Sequence, residues 1–206
     1  MSERAFLILA AKRRTTETIR AIEARTSAEV VVAVRPAAER HVVTSVVFGA
    51  AVAALALVVM LVSPRVYDVR TMPFDALLAL VLAALVCHFV PPLKRLLTPK
   101  TRRLAAARRG AATAFVELGI GKTKQRSGVL VFVSLFERTA VVVADEGVPT
   151  ALLGEAYETR TLELARSAAA LDIDAFLVAL GDFGTLLVGV LPRRPDDANE
   201  LSDEVA

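Results

Sequence analysis

Two pairs of charged residues contain the carboxylates best placed to bind a cation in this sequence: Glu137-Arg138 and Asp145-Glu146. Carboxylates are preferred ligands of hard cations such as Ca²⁺ and Mg²⁺, and a metal held by carboxylates can neutralise the charge on a phosphoryl group. The glycine-rich segment Gly119-Ile-Gly121 could complete an oxygen-lined pocket beside Asp145 and Glu146. We therefore predict a Ca²⁺ or Mg²⁺ site there. The open alternative is a solvated turn pair at 137–138 and an ordinary loop or helix start at 145–146.

The two pairs are expected at opposite ends of a β-hairpin. Residues 128–134 and 139–144 are short apolar runs rich in β-branched side chains, and only four residues separate them. Such a pattern predicts two antiparallel strands joined by a short loop. Glu137 and Arg138 then lie at the turn, and Asp145 and Glu146 at the open end, so the two pairs should not share one ion.

Side chains suited to nucleophilic catalysis are scarce. The chain has one cysteine, Cys87, which excludes a disulfide framework and a cysteine-based metal site. His41 stands at the entrance of a long apolar run, and His88 lies within a second one. Neither histidine is predicted to be a catalytic base, so no catalytic residue is assigned and enzymatic activity is left undecided.

Two apolar runs dominate the middle of the chain, at residues 42–63 and 74–90. The first contains no charged residue, and the second contains only Asp75 near its start. The hydrocarbon core of a bilayer is about 30 Å thick and is spanned by roughly 20 apolar helical residues. Because helices of this kind in water-soluble proteins usually keep a polar stripe, the pattern favours a transmembrane helical hairpin.

Basic residues crowd the segment that follows the second apolar run. They are Lys94, Arg95, Lys100, Arg102, Arg103, Arg108 and Arg109. The connector between the two runs contains only Arg65 and Arg70. The positive-inside rule then places the flanks and both termini on the cytoplasmic side of an inner (plasma) membrane. Without interleaved aromatic residues, the cluster indicates binding to anionic lipid headgroups rather than to nucleic acid.

The flanks of the hairpin predict one α/β domain. Residues 29–34 form a β-branched run with no partner strand in their own flank, so they must pair with the strands at 128–144. Helical patterns at about 6–25, 98–118, 149–170 and 172–190 would cover this sheet. We predict a small mixed sheet sandwiched by helices, built from residues 1–41 and 91–195. Residues 196–206 should form an acidic tail.

These residues resemble the TPM domain family, also called the TPM phosphatase domain. The resemblance rests on residues 22–29 leading into the first strand, on Phe115 and Gly119, and on the hairpin from Gly128 through Glu137-Arg138 to residues 144–148. It covers both flanks of the membrane hairpin. It implies an α/β sandwich with a mixed sheet and, as in some members, divalent-cation binding and acid phosphatase activity.

The function predicted from the sequence is that of a membrane-anchored TPM-like interaction or cation-binding module at the cytoplasmic membrane face. The alternative is a divalent-metal-dependent acid phosphatase that uses Asp145 and Glu146. Expected partners are the bilayer with its anionic headgroups and either a second copy of the chain or another membrane protein.

Overall fold

The computed structural model describes residues 9–65, 67–194, 200–201 and 205. It divides into two compact units. The first comprises Met1–Glu39 and Leu104–Ala206, and the second is Arg40–Arg103. The predicted domain boundaries stay a prediction, and most of the predicted acidic tail, residues 196–199, 202–204 and 206, lies outside the described residues.

The helices and strands follow one another in a mixed order. They are α1 (Leu9–Glu23), β1 (Glu29–Arg35), α2 (Val42–Val62), α3 (Met72–Phe89), α4 (Pro91–Leu97), α5 (Lys100–Glu117), a 3₁₀ turn (Ile120–Lys122), β2 (Gly128–Ser134), β3 (Thr139–Ala144), α6 (Thr150–Ala170) and α7 (Ile173–Val188). Helix α4 was not anticipated, because Pro91 and Pro92 resemble a helix break. Both prolines lie in its first turn, where a backbone N–H has no helical partner to lose.

The first unit is built on a three-stranded sheet in the order β1-β2-β3. Strand β1 runs parallel to β2, with Glu29 opposite Gly128, and β2 runs antiparallel to β3, with Val129 opposite Ala144. The predicted pairing of strand 29–34 with the hairpin is therefore confirmed. A parallel pair needs a long crossover connection, and the second unit lies within that connection in the sequence.

Side chains of successive strand residues point to opposite faces of the sheet, and helices cover both faces. On one face, valines of β1 and β2 pack with Ile19 of α1, Leu164 of α6 and Phe183 of α7. On the other face, Leu130 and Phe132 pack with alanines of α5. The α/β fold with a mixed sheet between helices is thus the one predicted from the sequence.

The second unit contains the two apolar helices α2 and α3. Ser45, Gly49 and Ala53 form the buried stripe of α2, and a Cβ on Gly49 would lie 2.5 Å from the carbonyl oxygen of Leu80. The small-residue spacing around Gly49 therefore lets α2 approach α3 closely. By length and composition both helices, Val42–Val62 and Met72–Phe89, could cross a membrane, and most of their large apolar side chains are exposed.

Candidate functional site

The open end of the β2–β3 hairpin presents a buried carboxylate. Asp145 directly follows β3, and its backbone N–H donates to the carbonyl of Gly128 at 2.9 Å, which continues the hairpin by one residue. Its side chain is only 3% exposed. Burying a carboxylate is costly unless its oxygens find partners, so the surroundings of this side chain decide what it can do.

The two oxygens of Asp145 have different surroundings. Oδ1 accepts hydrogen bonds from the Glu146 backbone N–H at 2.8 Å and from the Arg126 Nε at 3.1 Å. Oδ2 lies 2.9 Å from the same Arg126 nitrogen, but it is buried and accepts no hydrogen bond from the residues that the structure describes. Arg126 therefore balances the charge of the carboxylate and leaves one oxygen without a hydrogen-bond donor.

Arg126 reaches Asp145 from the turn that precedes β2. Its backbone has a φ of 55°, in the left-handed region, and its side chain is 51% exposed. The hydrogen bond to Asp145, together with the charges of Asp145 and Glu146, raises the pKa of Arg126. The guanidinium is thus charged here, and its half-exposed side chain remains in contact with solvent.

Gly147 fixes the loop after β3 against the turn before β2. Its N–H donates to the Arg126 carbonyl at 2.9 Å, and an added Cβ would lie 2.1 Å from the Gln125 carbonyl oxygen. No side chain fits in such a contact. The backbone of the open end is therefore held in one position.

The predicted site residues around Asp145 are partly brought together. Gly121 is close, since a Cβ built on it would lie 3.6 Å from Asp145 Oδ2. Glu146 is 85% exposed and approaches Arg126 Nη2 at 3.5 Å. Across the described ranges, no three or more His, Cys, Asp or Glu side chains converge as a metal-binding group. A cation held here would depend on Asp145, Glu146 and water.

Glu137 and Arg138 lie at the turn, at the opposite end of the hairpin, and the structure separates their roles. Glu137 is buried; its Oε2 accepts the Ala38 N–H at 3.0 Å and pairs with the Ser134 hydroxyl. Arg138 is exposed, with a left-handed φ of 50°. The alternative of a solvated turn pair is therefore wrong for Glu137, because the chain after β1 folds over its carboxylate.

The seven basic residues are spread over both units. Lys94 and Arg95 lie on α4, and Lys100, Arg102 and Arg103 lie in the first turn of α5. These five residues belong to the unit Arg40–Arg103. Arg108 and Arg109 lie further along α5, in the other unit. Arg109 donates to both carboxylate oxygens of Glu39, at 2.6 and 3.0 Å, and this contact raises the pKa of Arg109. Arg109 therefore has a partner within its own unit.

The sequence reasoning missed Arg126 and Gly147. One signal pointed to both: in an antiparallel hairpin, the residues just before the first strand lie beside those just after the second. Positions 125–127 were therefore expected to lie beside positions 145–147. The sequence did not show which of these side chains would turn toward Asp145.

Comparison with known proteins supports the fold. No family model matches the chain, and no curated protein does. Among solved structures, the chain is similar to the NMR structure of the BA42 protein from the psychrophilic bacterium Bizionia argentinensis sp. nov.. The two share 16% sequence identity with a TM-score of 0.55, over 97% of this chain and 93% of that one. At this identity the likeness concerns the fold alone.

Proposed function

We propose that this chain is a membrane-anchored, TPM-like module that binds a divalent cation at Asp145 and acts through interactions rather than catalysis. The TPM-like assignment is supported by the hairpin residues that carry the resemblance and by the mixed sheet between helices that the resemblance implies. Anchoring is supported by the two long apolar helices Val42–Val62 and Met72–Phe89.

One observation carries the cation site: Oδ2 of Asp145 is buried, accepts no hydrogen bond from the described residues, and has only the half-exposed Arg126 as its counter-charge. Buried polar atoms are almost always partnered, so this oxygen has the capacity to bind a cation or a water molecule. Asp145 and Glu146 would be the protein ligands, and water would fill the remaining positions, as is common for Mg²⁺. Arg126 pairs with the same carboxylate, so the cation and the guanidinium compete for Asp145.

The test is a titration of CaCl₂ or MgCl₂ into the detergent-solubilised full chain while thermal unfolding is followed. At a free cation concentration a hundredfold above Kd, stabilisation of about 2.7 kcal/mol is expected from binding to the folded state alone. Asp145→Asn should abolish the shift. Arg126→Gln should move the titration to lower cation concentration, because the competing charge is gone.

Glu117→Gln serves as the matched control, since Glu117 is an exposed acid that is not one of the proposed ligands. It should respond to the cation as the parent does. An absent shift in the parent, or an equal shift in Asp145→Asn, would contradict the cation site. The phosphatase alternative predicts that the chain hydrolyses p-nitrophenyl phosphate at acid pH, that this hydrolysis needs the metal, and that Asp145→Asn abolishes it. No observation on the described residues favours that alternative.

The proposed orientation places both termini on the cytoplasmic side of an inner membrane. It is supported by the charge difference between the connector, with Arg65 and Arg70, and the seven basic residues after the second helix. A reporter enzyme that is active only in the cytoplasm, fused after Ala206, should be active. Activity of a reporter that works only outside the cytoplasm would overturn the orientation.

A further inference from the structure

Strand β3 is an edge of the sheet, with α5 packed on one face of the sheet and α6 on the other. It pairs with β2 on one side, and no strand of the described residues pairs with it on the other. In a strand, alternate residues direct their backbone N–H and C=O groups to opposite sides. Half of these groups in β3 therefore face outward, where an edge is a template for another strand.

A groove of about 680 Å³ runs along this edge. Thr139–Val142 line it as consecutive residues, so the strand backbone forms its floor. Leu104 of α5 stands on one wall and Leu162 of α6 on the other, with 40% and 49% of their surfaces exposed. The groove thus combines unpaired backbone groups with apolar side chains above and below the sheet.

The two walls carry opposite charge. Arg108 projects from α5, whereas Glu155 and Glu158 lie on α6. All three are exposed, and none of the three side chains has an ion-pair or hydrogen-bond partner within the part of the chain that the structure describes. Charge of this kind steers a partner and fixes its register more than it adds raw affinity.

Residues of two helices line the edge, Leu104 on α5 and Leu162 on α6. A second copy would have to bring its own β3 flanked by the same two helices, so helix would meet helix before the strands paired. A single extended segment enters such a groove freely, and main-chain hydrogen bonds to an edge strand are an established mode of peptide recognition.

We infer that this groove binds an extended segment of a partner protein, which adds to β3 as a fourth strand. Neighbouring side chains of that segment point to opposite faces of the sheet, so an acidic residue would meet Arg108 while the adjacent basic residue meets Glu155 and Glu158. Small apolar or β-branched residues on either side would pack on Leu104 and Leu162. This names the partner class for the interaction role proposed above; it rests on that role and not on the cation site.

The probe is a fluorescein-labelled synthetic peptide of alternating valine and threonine with one adjacent glutamate–lysine pair at its centre. Fluorescence anisotropy with the detergent-solubilised full chain should give saturable binding. The same peptide, N-methylated along its backbone, should bind at least about tenfold more weakly, which corresponds to 1.4 kcal/mol. Arg108→Glu and the double variant Glu155→Lys/Glu158→Lys should each weaken binding of the original peptide by a similar factor.

Charge reversal gives the sharpest control. A peptide in which glutamate replaces the central lysine should recover affinity for Glu155→Lys/Glu158→Lys and bind the parent poorly. Asp145→Asn should bind the original peptide as the parent does, which separates failure of the cation site from failure of the groove. The inference would be overturned if the parent did not bind the peptide, or if the N-methylated peptide bound equally well. It would also be overturned if the protein formed a stable dimer that excluded the peptide until the protein was diluted.

Discussion

The two ends of the β2–β3 hairpin both bury a carboxylate, and they treat it in opposite ways. At the turn, Glu137 accepts the Ala38 N–H and pairs with the Ser134 hydroxyl, so protein groups satisfy it. At the open end, the side-chain hydrogen bonds that Asp145 accepts from described residues go to Oδ1, and its cationic neighbour Arg126 is half exposed. One carboxylate is enclosed by protein groups, and the other is paired with a cation that solvent reaches.

The difference gives Glu137 a structural role, whereas Asp145 is the carboxylate on which the proposed cation site rests. Glu137 holds the segment after β1, because backbone N–H groups of Leu135 and Phe136 also donate to the carbonyls of Arg35 and Pro36. That segment leads toward α2 in the sequence. Asp145 holds the Glu146 N–H and the half-exposed side chain of Arg126, whereas the backbone around it is fixed by Gly147. In the proposed cation site, the cation would take the place of Arg126.

The largest expected effect is at the turn. Glu137→Ala leaves the part-buried Ala38 N–H and the buried Ser134 hydroxyl without their acceptor, and an unsatisfied buried group costs about 1–3 kcal/mol. We expect a loss of about 3 kcal/mol in the free energy of unfolding, measured by urea unfolding of the detergent-solubilised chain. Glu137→Gln, which keeps an acceptor oxygen, should lose less than half of this.

The matched change at the open end sharpens the comparison. Asp145→Ala removes a partner from Arg126, but the exposed guanidinium can be hydrated, and half-exposed ion pairs contribute about 1 kcal/mol or less. The Glu146 N–H also loses its acceptor, and that group lies near solvent. We expect a loss of about 1 kcal/mol in total. Equal losses for Glu137→Ala and Asp145→Ala would break the distinction between the two ends.

The architecture was predictable because its signals are local. The apolar runs at 128–134 and 139–144 gave both strands of the hairpin with the limits that the structure shows. The unpartnered run at 29–34 gave the third strand, since the need to satisfy backbone groups left one choice. The length and composition of the two central runs gave α2 and α3 in the same way.

The site was less predictable because its contacts are distant in sequence. The burial of Glu137 depends on Ala38, 99 residues away, and nothing near position 137 announces that contact. The pairing of Asp145 with Arg126 depends on a left-handed residue whose side chain could equally face water. The acidic positions were visible in the sequence. It did not show that protein groups enclose the carboxylate of Glu137, whereas that of Asp145 pairs with a half-exposed arginine.

The smallest expected effect concerns alkaline pH, where the two ends should behave alike. Burial raises the pKa of Tyr157 above 10.0, because the phenolate is poorly solvated beside Phe183, whose ring centroid lies 5.8 Å away. The folded chain then holds this proton more tightly than the unfolded chain. The contribution of Tyr157 to stability is intact below pH of about 10 and is lost as pH rises from there through the raised pKa.

Tyr157→Phe keeps the ring and removes the titration. The variant should therefore lose less stability than the parent between neutral pH and pH of about 10.5, where tyrosine in the unfolded chain is mostly ionised. Melting temperatures at the two pH values measure the difference. Glu137→Gln and Asp145→Asn should keep the alkaline loss of the parent, since both variants retain the Tyr157 phenol. If Tyr157→Phe loses as much stability at alkaline pH as the parent does, another group is responsible. If only Asp145→Asn alters this loss of stability, that group lies at the open end of the hairpin.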